Sequence, residues 1–333
     1  MEMIDKFTST GIKFWKHEQQ MFNYASGNGH TIISTHISPE GFCNLNCSYC
    51  SVKKRKTTYR IEMPIIKDYV EKLMTRGLKA VILTGGGEPT TYPHFNELIS
   101  WLHEKGLKIA LITNGTQTNL VEDWSKFSWI RVSLNKIPNW KTRISLPLEK
   151  IGENTIIGTS FVDTGDLEKS IDDLKFMVEK LNANYLRILP NCLLPQSELS
   201  KEHTRIDEIF KRHSVGDKFF HQIKNHETPS TTICHQSYFR PYLSEVDGGT
   251  VYPCDSVVLN ETAEHFEEKF KICSAGEILD YLDKKVQHSF TPCHDCSGCV
   301  FNNNLKMLSG FLDGTINKFE QMKEVKVIHE EFV

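Results

Sequence analysis

No run of this 333-residue chain is apolar for long enough to cross a bilayer, and the opening MEMIDKFTSTGIKFWKHEQQ lacks the hydrophobic centre of a signal peptide. Neither feature of a membrane-spanning or exported protein is there, so the expected compartment is the cytoplasm and no membrane partner is expected. Charge of neither sign dominates: 39 Lys and Arg stand against 42 Asp and Glu, a net charge of −3. Bulk binding to a nucleic-acid backbone needs a basic excess on one face, so nucleic acid is not an expected partner. Internal repeats and low-complexity tracts are missing as well. What remains, with 39% hydrophobic and 24% charged residues, is a folded chain with a sizeable core.

Cysteine, by contrast, is plentiful, with ten residues. A secreted disulfide scaffold would be shorter and richer in cysteine, and cytosolic thiols stay reduced, so clustered thiols point to metal or redox chemistry. Eight of the ten fall into groups, Cys43, Cys47 and Cys50 early and Cys234, Cys254, Cys293, Cys296 and Cys299 late, while Cys192 and Cys273 stand apart. Ordinary packing accounts for those two.

Between residues 31 and 190 short apolar runs alternate with amphipathic stretches. Candidate strands lie at 32–37, 80–83, 108–112, 129–134, 155–162 and 185–189. The intervening segments place apolar residues at helical spacing, for instance Ile66, Tyr69, Val70 and Leu73, then Leu98, Ile99 and Leu102. Strand–helix alternation predicts a parallel sheet with right-handed crossovers. The expected fold is α/β, a partial (β/α)6 TIM-like barrel followed by a small Cys-rich C-terminal module. The expected division is an N-terminal extension over 1–30, a core barrel over 31–195, a helical linker over 196–232 whose 214–232 part is loop-like, a metal-stapled module with little core over 233–300, and a closing helix within 301–333.

The first cysteine group sits just beyond the first strand, in Gly41-Phe-Cys-Asn-Leu-Asn-Cys-Ser-Tyr-Cys50. Soft thiolates so closely spaced select iron–sulfur clusters or zinc. Three of them cannot fill a tetrahedral structural zinc site; they suit a [4Fe-4S] cluster with one iron left open to an exogenous ligand. CNLNCSYC resembles the Cys-x3-Cys-x2-Cys motif of the radical S-adenosylmethionine (SAM) enzymes. The resemblance implies that Cys43, Cys47 and Cys50 hold the cluster and that SAM chelates the fourth iron. Reductive cleavage of SAM to a 5′-deoxyadenosyl radical, which abstracts a substrate hydrogen, follows by the same resemblance, with Tyr49 against the adenine. The second strand ends in Ala80-Val-Ile-Leu-Thr-Gly-Gly-Gly-Glu-Pro89, similar to the family's GGE segment, which assigns Gly85, Gly86, Gly87 and Glu88 to the methionine end of SAM.

Other strand ends carry weaker matches. Ser133 and Asn135 close strand four where relatives place polar groups near SAM, and Arg187 in strand six would meet a carboxylate; turn chemistry or a structural ion pair are the alternatives for each. Thr113-Asn-Gly115 closes strand three in the same manner. The run Lys53-Lys-Arg-Lys56 reads first as a solvated face and second as an attractor for an acidic flavodoxin- or ferredoxin-type electron donor.

Late in the chain, Cys234-x14-Gly249-x4-Cys254 precedes Cys293-x2-Cys296-x2-Cys299. The hairpin resembles the SPASM and Twitch extensions, the shorter Twitch type fitting better, and so implies one auxiliary [4Fe-4S] cluster held by four of these five thiols; a structural zinc would staple the same segment. Asp255 directly follows Cys254, and the resemblance makes it a candidate general base, a local cap being the plainer reading. The expected activity is oxidation of a small molecule. Alternatives are peptide or protein modification (thioether, cross-link or formylglycine formation), nucleotide modification, and a non-enzymatic iron–sulfur or zinc protein. Only 42 residues precede Cys43, short for the roughly eighty-residue leader-binding domain of many peptide modifiers.

Overall fold

A computed structural model describes residues 7–8, 11–223, 227–259, 266–285, 288–297 and 299–333. Six parallel strands follow the sequence reading to within about two residues: β1 (Ser34–Ile37), β2 (Ala80–Leu83), β3 (Lys108–Thr113), β4 (Phe127–Ser133), β5 (Ile156–Asp163) and β6 (Tyr185–Pro190). They pair in chain order, β1 beside β2 through to β5 beside β6. The longer helices are α1 (Glu18–Ala25), α2 (Met63–Met74), α3 (Phe95–Glu104), α4 (Leu167–Lys180), α5 (Gln196–Arg212) and α6 (Asn302–Leu312). On α2 the buried residues are those of the helical period, Ile66, Tyr69, Val70 and Leu73, as are Leu98, Ile99 and Leu102 on α3. β1 is polar yet wholly buried, and its central Thr35 is held by two partners. Thr35 Oγ1 meets Tyr69 Oη at 2.9 Å and donates to the Pro241 carbonyl at 2.8 Å.

Where the sequence reading has loop and module, the sheet continues. β7 (Phe219–His221) adds to β6 in parallel, and β8 (Tyr242–Ser244) adds to β1 in parallel. β9 (Thr250–Tyr252) and β10 (Cys273–Ser274) then extend β8 antiparallel. The strand order is β10-β9-β8-β1-β2-β3-β4-β5-β6-β7, an open curved sheet with two ends. The β8–β9 turn needs left-handed backbone at Asp247 (φ 51°), Gly248 (φ 76°) and Gly249 (φ 137°), so the glycine of the Cys-x14-Gly-x4-Cys spacing is a conformational requirement. Phe239, Leu243, Val251, Tyr252, Phe270, Ile278 and Tyr281 from the Cys-rich stretch belong to the same apolar core as the barrel. In the last segment α6 ends before Gly314 (φ 78°), and a separate short helix, Phe319–Met322, follows the turn. Among the described residues no helix is long and apolar enough to cross a membrane.

Candidate active site

Loops leaving the carboxyl ends of β1 to β4 come together, the usual place for chemistry in a barrel. Cys43, Cys47 and Cys50 ride on the first loop, free and half-buried. The Leu45 N–H donates to Cys43 Sγ at 3.4 Å, and Arg55 donates through Nη1 to Cys50 Sγ at 3.5 Å and through Nε to the Gly41 carbonyl at 2.8 Å. Arg55 is therefore folded onto the loop, whereas Lys53, Lys54 and Lys56 are exposed. Burial pushes the Cys43 and Cys47 thiols above their ordinary value.

The glycine run after β2 is packed rather than open. A side chain at Gly87 would collide with the Phe42 carbonyl of the cysteine loop, and one at Gly86 with the Glu245 carboxylate beyond β8. Backbone bonds lock the approach: Gly87 N–H donates to the Glu40 carbonyl (2.9 Å) and Glu88 N–H to the Phe42 carbonyl (2.8 Å). The Glu88 carboxylate, which the resemblance assigns to SAM, turns into the protein. It accepts from Thr113 Oγ1 (2.6 Å), Thr90 Oγ1 (2.8 Å) and the Asn114 N–H (2.7 Å). Burial raises its pKa, against the pull of these donors. Glu88 thus ties the end of β2 to the end of β3.

Asn114 carries that tie onward, donating to Asn44 Oδ1 at 2.9 Å and lying 3.9 Å from Cys43 Sγ. Two residues that the sequence assigns to SAM meet directly, Tyr49 Oη donating to Asn135 Oδ1 at 2.7 Å. Ser133 lies in register with Ser160 on β5, and Ser160 with Arg187 on β6. Asp163, absent from the sequence reading, ends β5 fully buried. It accepts the N–H groups of Gly165, Asp166 and Leu167 at 2.9–3.0 Å, capping α4, and pairs with Arg205. An acid four residues before a helical apolar run was the available signal.

Four of the five late thiols, Cys234, Cys254, Cys296 and Cys299, line one small pocket with Pro253, Val257, Phe290 and Leu305; Cys293 does not reach it. Burial pushes Cys234 up to about 11 and Cys299 up to about 12, and Cys254 and Cys296 rise by the same cause. The four sulfurs face one shared space, and a set of buried thiolates of this kind can hold a structural zinc or an iron–sulfur cluster. A multi-iron cluster spreads its ligands wider, and buried thiolate donors are its chemistry.

A cavity of about 540 Å³ fills the inner face of the sheet, lined by His36, Arg131, Arg187, Arg240 and Asp255, with Lys13 and Phe332 on its floor. Ser256, Val300 and Phe301 border both this cavity and the thiol pocket. Asp255 Oδ1 lies 3.4 Å from Arg240 and Oδ2 lies 3.3 Å from His36 Nδ1, a contact out of line for a hydrogen bond. Burial, then Arg240, depresses the His36 pKa, so this ring is neutral at pH 7. Of the SAM-assigned residues, Arg187 lines the cavity; Tyr49, Gly85, Gly86, Gly87, Glu88, Ser133 and Asn135 do not.

Comparisons with known proteins agree with this layout. A UPF0026 protein of Helicobacter pylori (strain J99) is 29% identical over 168 residues, covering 45% of this chain and 54% of the relative, so the chain spans about half the length of that curated relative. A cysteine-type anaerobic sulfatase-maturating enzyme of Clostridium novyi is 21% identical over 335 residues, covering 81% of this chain and 88% of the relative. Streptococcus suis SuiB bound to S-adenosylmethionine shares the fold at a TM-score of 0.54 with 14% identity, over 78% of this chain and 66% of SuiB. The radical SAM superfamily matches residues 37–139, from the end of β1 through β4, which makes this stretch a radical SAM domain, the domain of a family that works with a [4Fe-4S] cluster and S-adenosylmethionine.

Proposed function

We propose that this enzyme oxidises a small molecule held in the barrel cavity, with Cys43, Cys47 and Cys50 ligating the SAM-binding cluster and Cys234, Cys254, Cys296 and Cys299 an auxiliary one. When bound, the first cluster with SAM supplies hydrogen-atom abstraction and the second supplies an electron sink. The chain's own residues do the rest. Tyr49, Asn135 and Ser133 border SAM, Gly85, Gly86 and Gly87 bring backbone close to it, and Glu88 and Asn114 hold the loop that carries the cysteines. Asp255, on the cavity wall beside Cys254, takes the proton that leaves the substrate as it is oxidised. The exposed Lys53, Lys54 and Lys56 beside the cysteine loop receive an acidic electron donor of the flavodoxin or ferredoxin type.

The observation that carries this reading is the shared wall: Ser256, Val300 and Phe301 separate a cavity of small-molecule size from the four-thiol pocket by a single layer. Peptide modification is the second reading, favoured by the extent of the match to the Clostridium novyi enzyme, whose printed name gives a protein substrate. The test is anaerobic reconstitution with iron and sulfide, then dithionite and SAM, in the presence of a metabolite extract. 5′-Deoxyadenosine should form, Cys47→Ala should abolish it, and a metabolite should lose two hydrogens. Asp255→Asn should keep SAM cleavage and lose the oxidised product. Turnover of a peptide pool with no change among metabolites would favour the second reading.

A further inference from the structure

The geometry points to an oxyanion on the substrate: we propose that Arg131 and Arg187 bind a phosphate or carboxylate group of the molecule in the barrel cavity. The proposal rests on the cavity being the substrate chamber and names the chemistry it selects. Four cations, Lys13, Arg131, Arg187 and Arg240, line the cavity against one carboxylate, Asp255. Two of the four are already engaged. Lys13 Nζ donates to the His329 and Phe332 carbonyls at 3.2 and 3.1 Å, and Arg240 pairs with Asp255 and donates to the Val333 carbonyl oxygen at 3.0 Å.

Arg131 and Arg187 are different. Among the described residues neither has an acid within ion-pair reach, and the buried Nε of each has no hydrogen-bond partner. Arg187 spends one Nη1 bond on Gln222 Oε1 at 2.8 Å, and Arg131 lies 5.5 Å over the Trp129 ring. Burial, then the charge of Arg131, pushes the Arg187 pKa down to about 9. Two like charges sharing a low-dielectric space, each with an idle fork edge, are complementary to a ligand with two or more anionic oxygens. The strands fix the pair: Arg131 sits opposite Gly158 on β5, and Gly158 sits opposite Tyr185, whose ring occupies the space a side chain there would need. Arg187 stands two residues further along β6 on the same face.

The experiment is equilibrium calorimetry on anaerobic, cluster-reconstituted protein, titrated with inorganic phosphate and, separately, with succinate, each with and without SAM. At least one anion should bind saturably, and should still bind when SAM is present. Which one binds distinguishes phosphate from carboxylate. Arg131→Gln and Arg187→Gln should each weaken that binding roughly tenfold or more while changing SAM affinity less than about twofold, and Arg187→Lys should recover part of the loss. Relief of like-charge crowding should leave the anion-free thermal midpoints of both Gln variants unlowered, which also guards against misfolding. The proposal is overturned if neither anion binds, if the variants bind anions as well as the parent, if their anion-free midpoints fall, or if SAM competes with the anion and loses affinity in the variants. Binding is read without turnover, so failure here leaves the radical reading standing, and failure of SAM cleavage leaves the anion site standing.

Discussion

Five thiols compete for four positions late in the chain, and their surroundings separate them. Cys293 lies inside the short helix Pro292–Asp295, its N–H donating to the Thr231 carbonyl at 3.0 Å, while Cys296 caps the end of that helix and lines the pocket with Cys234 and Cys299. The Cys-x2-Cys-x2-Cys spacing makes the three equivalent on paper; the one-turn helix between the first two makes them inequivalent in space. Cys293→Ser should therefore retain about eight irons per reconstituted chain, and Cys296→Ser should fall towards about four, read by iron assay and the visible absorbance of the cluster. An equal loss in both would refute the assignment. At this same scale the sequence hid Glu88. The GGE pattern marks the residue, but its partners Thr113 and Asn114 lie 25 and 26 positions on, at the end of another strand.

Elements were more legible than residues because β2 is a fully buried apolar run and β3 to β6 are apolar-rich stretches of six to eight residues, each bounded by turns. β7 to β10 escaped notice for a physical reason: each has three residues or fewer, below the length at which alternation is visible, and β7 and β8 are anchored by pairing with β6 and β1, strands well removed in sequence. The glycine run shows how one element disciplines another. Gly86 abuts Glu245 and Gly87 abuts the cysteine loop, so the β2 end is the mould for both. Gly87→Ala must push the backbone of Phe42 aside, a strain of about 3 kcal/mol that falls on the loop holding Cys43. The expected result is loss of the site cluster with retention of the auxiliary one, about four irons remaining and no SAM cleavage. Gly106→Ala, with nothing near its side-chain position, serves as control, carrying the backbone cost of its positive φ without touching the loop.

Across the whole molecule, the least legible feature is the union of the two ends of the described chain. Trp15 packs edge-on against Phe311 and Phe319, Lys16 Nζ donates to the Met322 carbonyl at 2.6 Å, and Lys13 reaches His329 and Phe332 on the cavity floor. Nothing local predicts contacts across about 300 residues; they exist because the open sheet leaves a floor that must be covered. His17 sits in this seam, its Nε2 2.9 Å from the Glu330 carbonyl and its Nδ1 3.2 Å from Lys79 Nζ. That arrangement suits the neutral ring, which donates from Nε2 and accepts at Nδ1. Burial accordingly lowers its pKa from 6.5 to about 4. Between those values the unfolded chain holds a proton that the native ring refuses, so each step down in pH favours unfolding. Stability conferred by the neutral ring is intact above about 6.5 and is lost progressively towards pH 4, by at most about 3 kcal/mol from this group. His17→Gln keeps a donor and an acceptor but cannot take the proton. Denaturant midpoints measured at pH 7.5 and pH 5 should fall less in this variant than in the parent, even if it starts from a lower value. Identical slopes in the two proteins would mean that the seam tolerates a charged ring and that its closure is not coupled to acid.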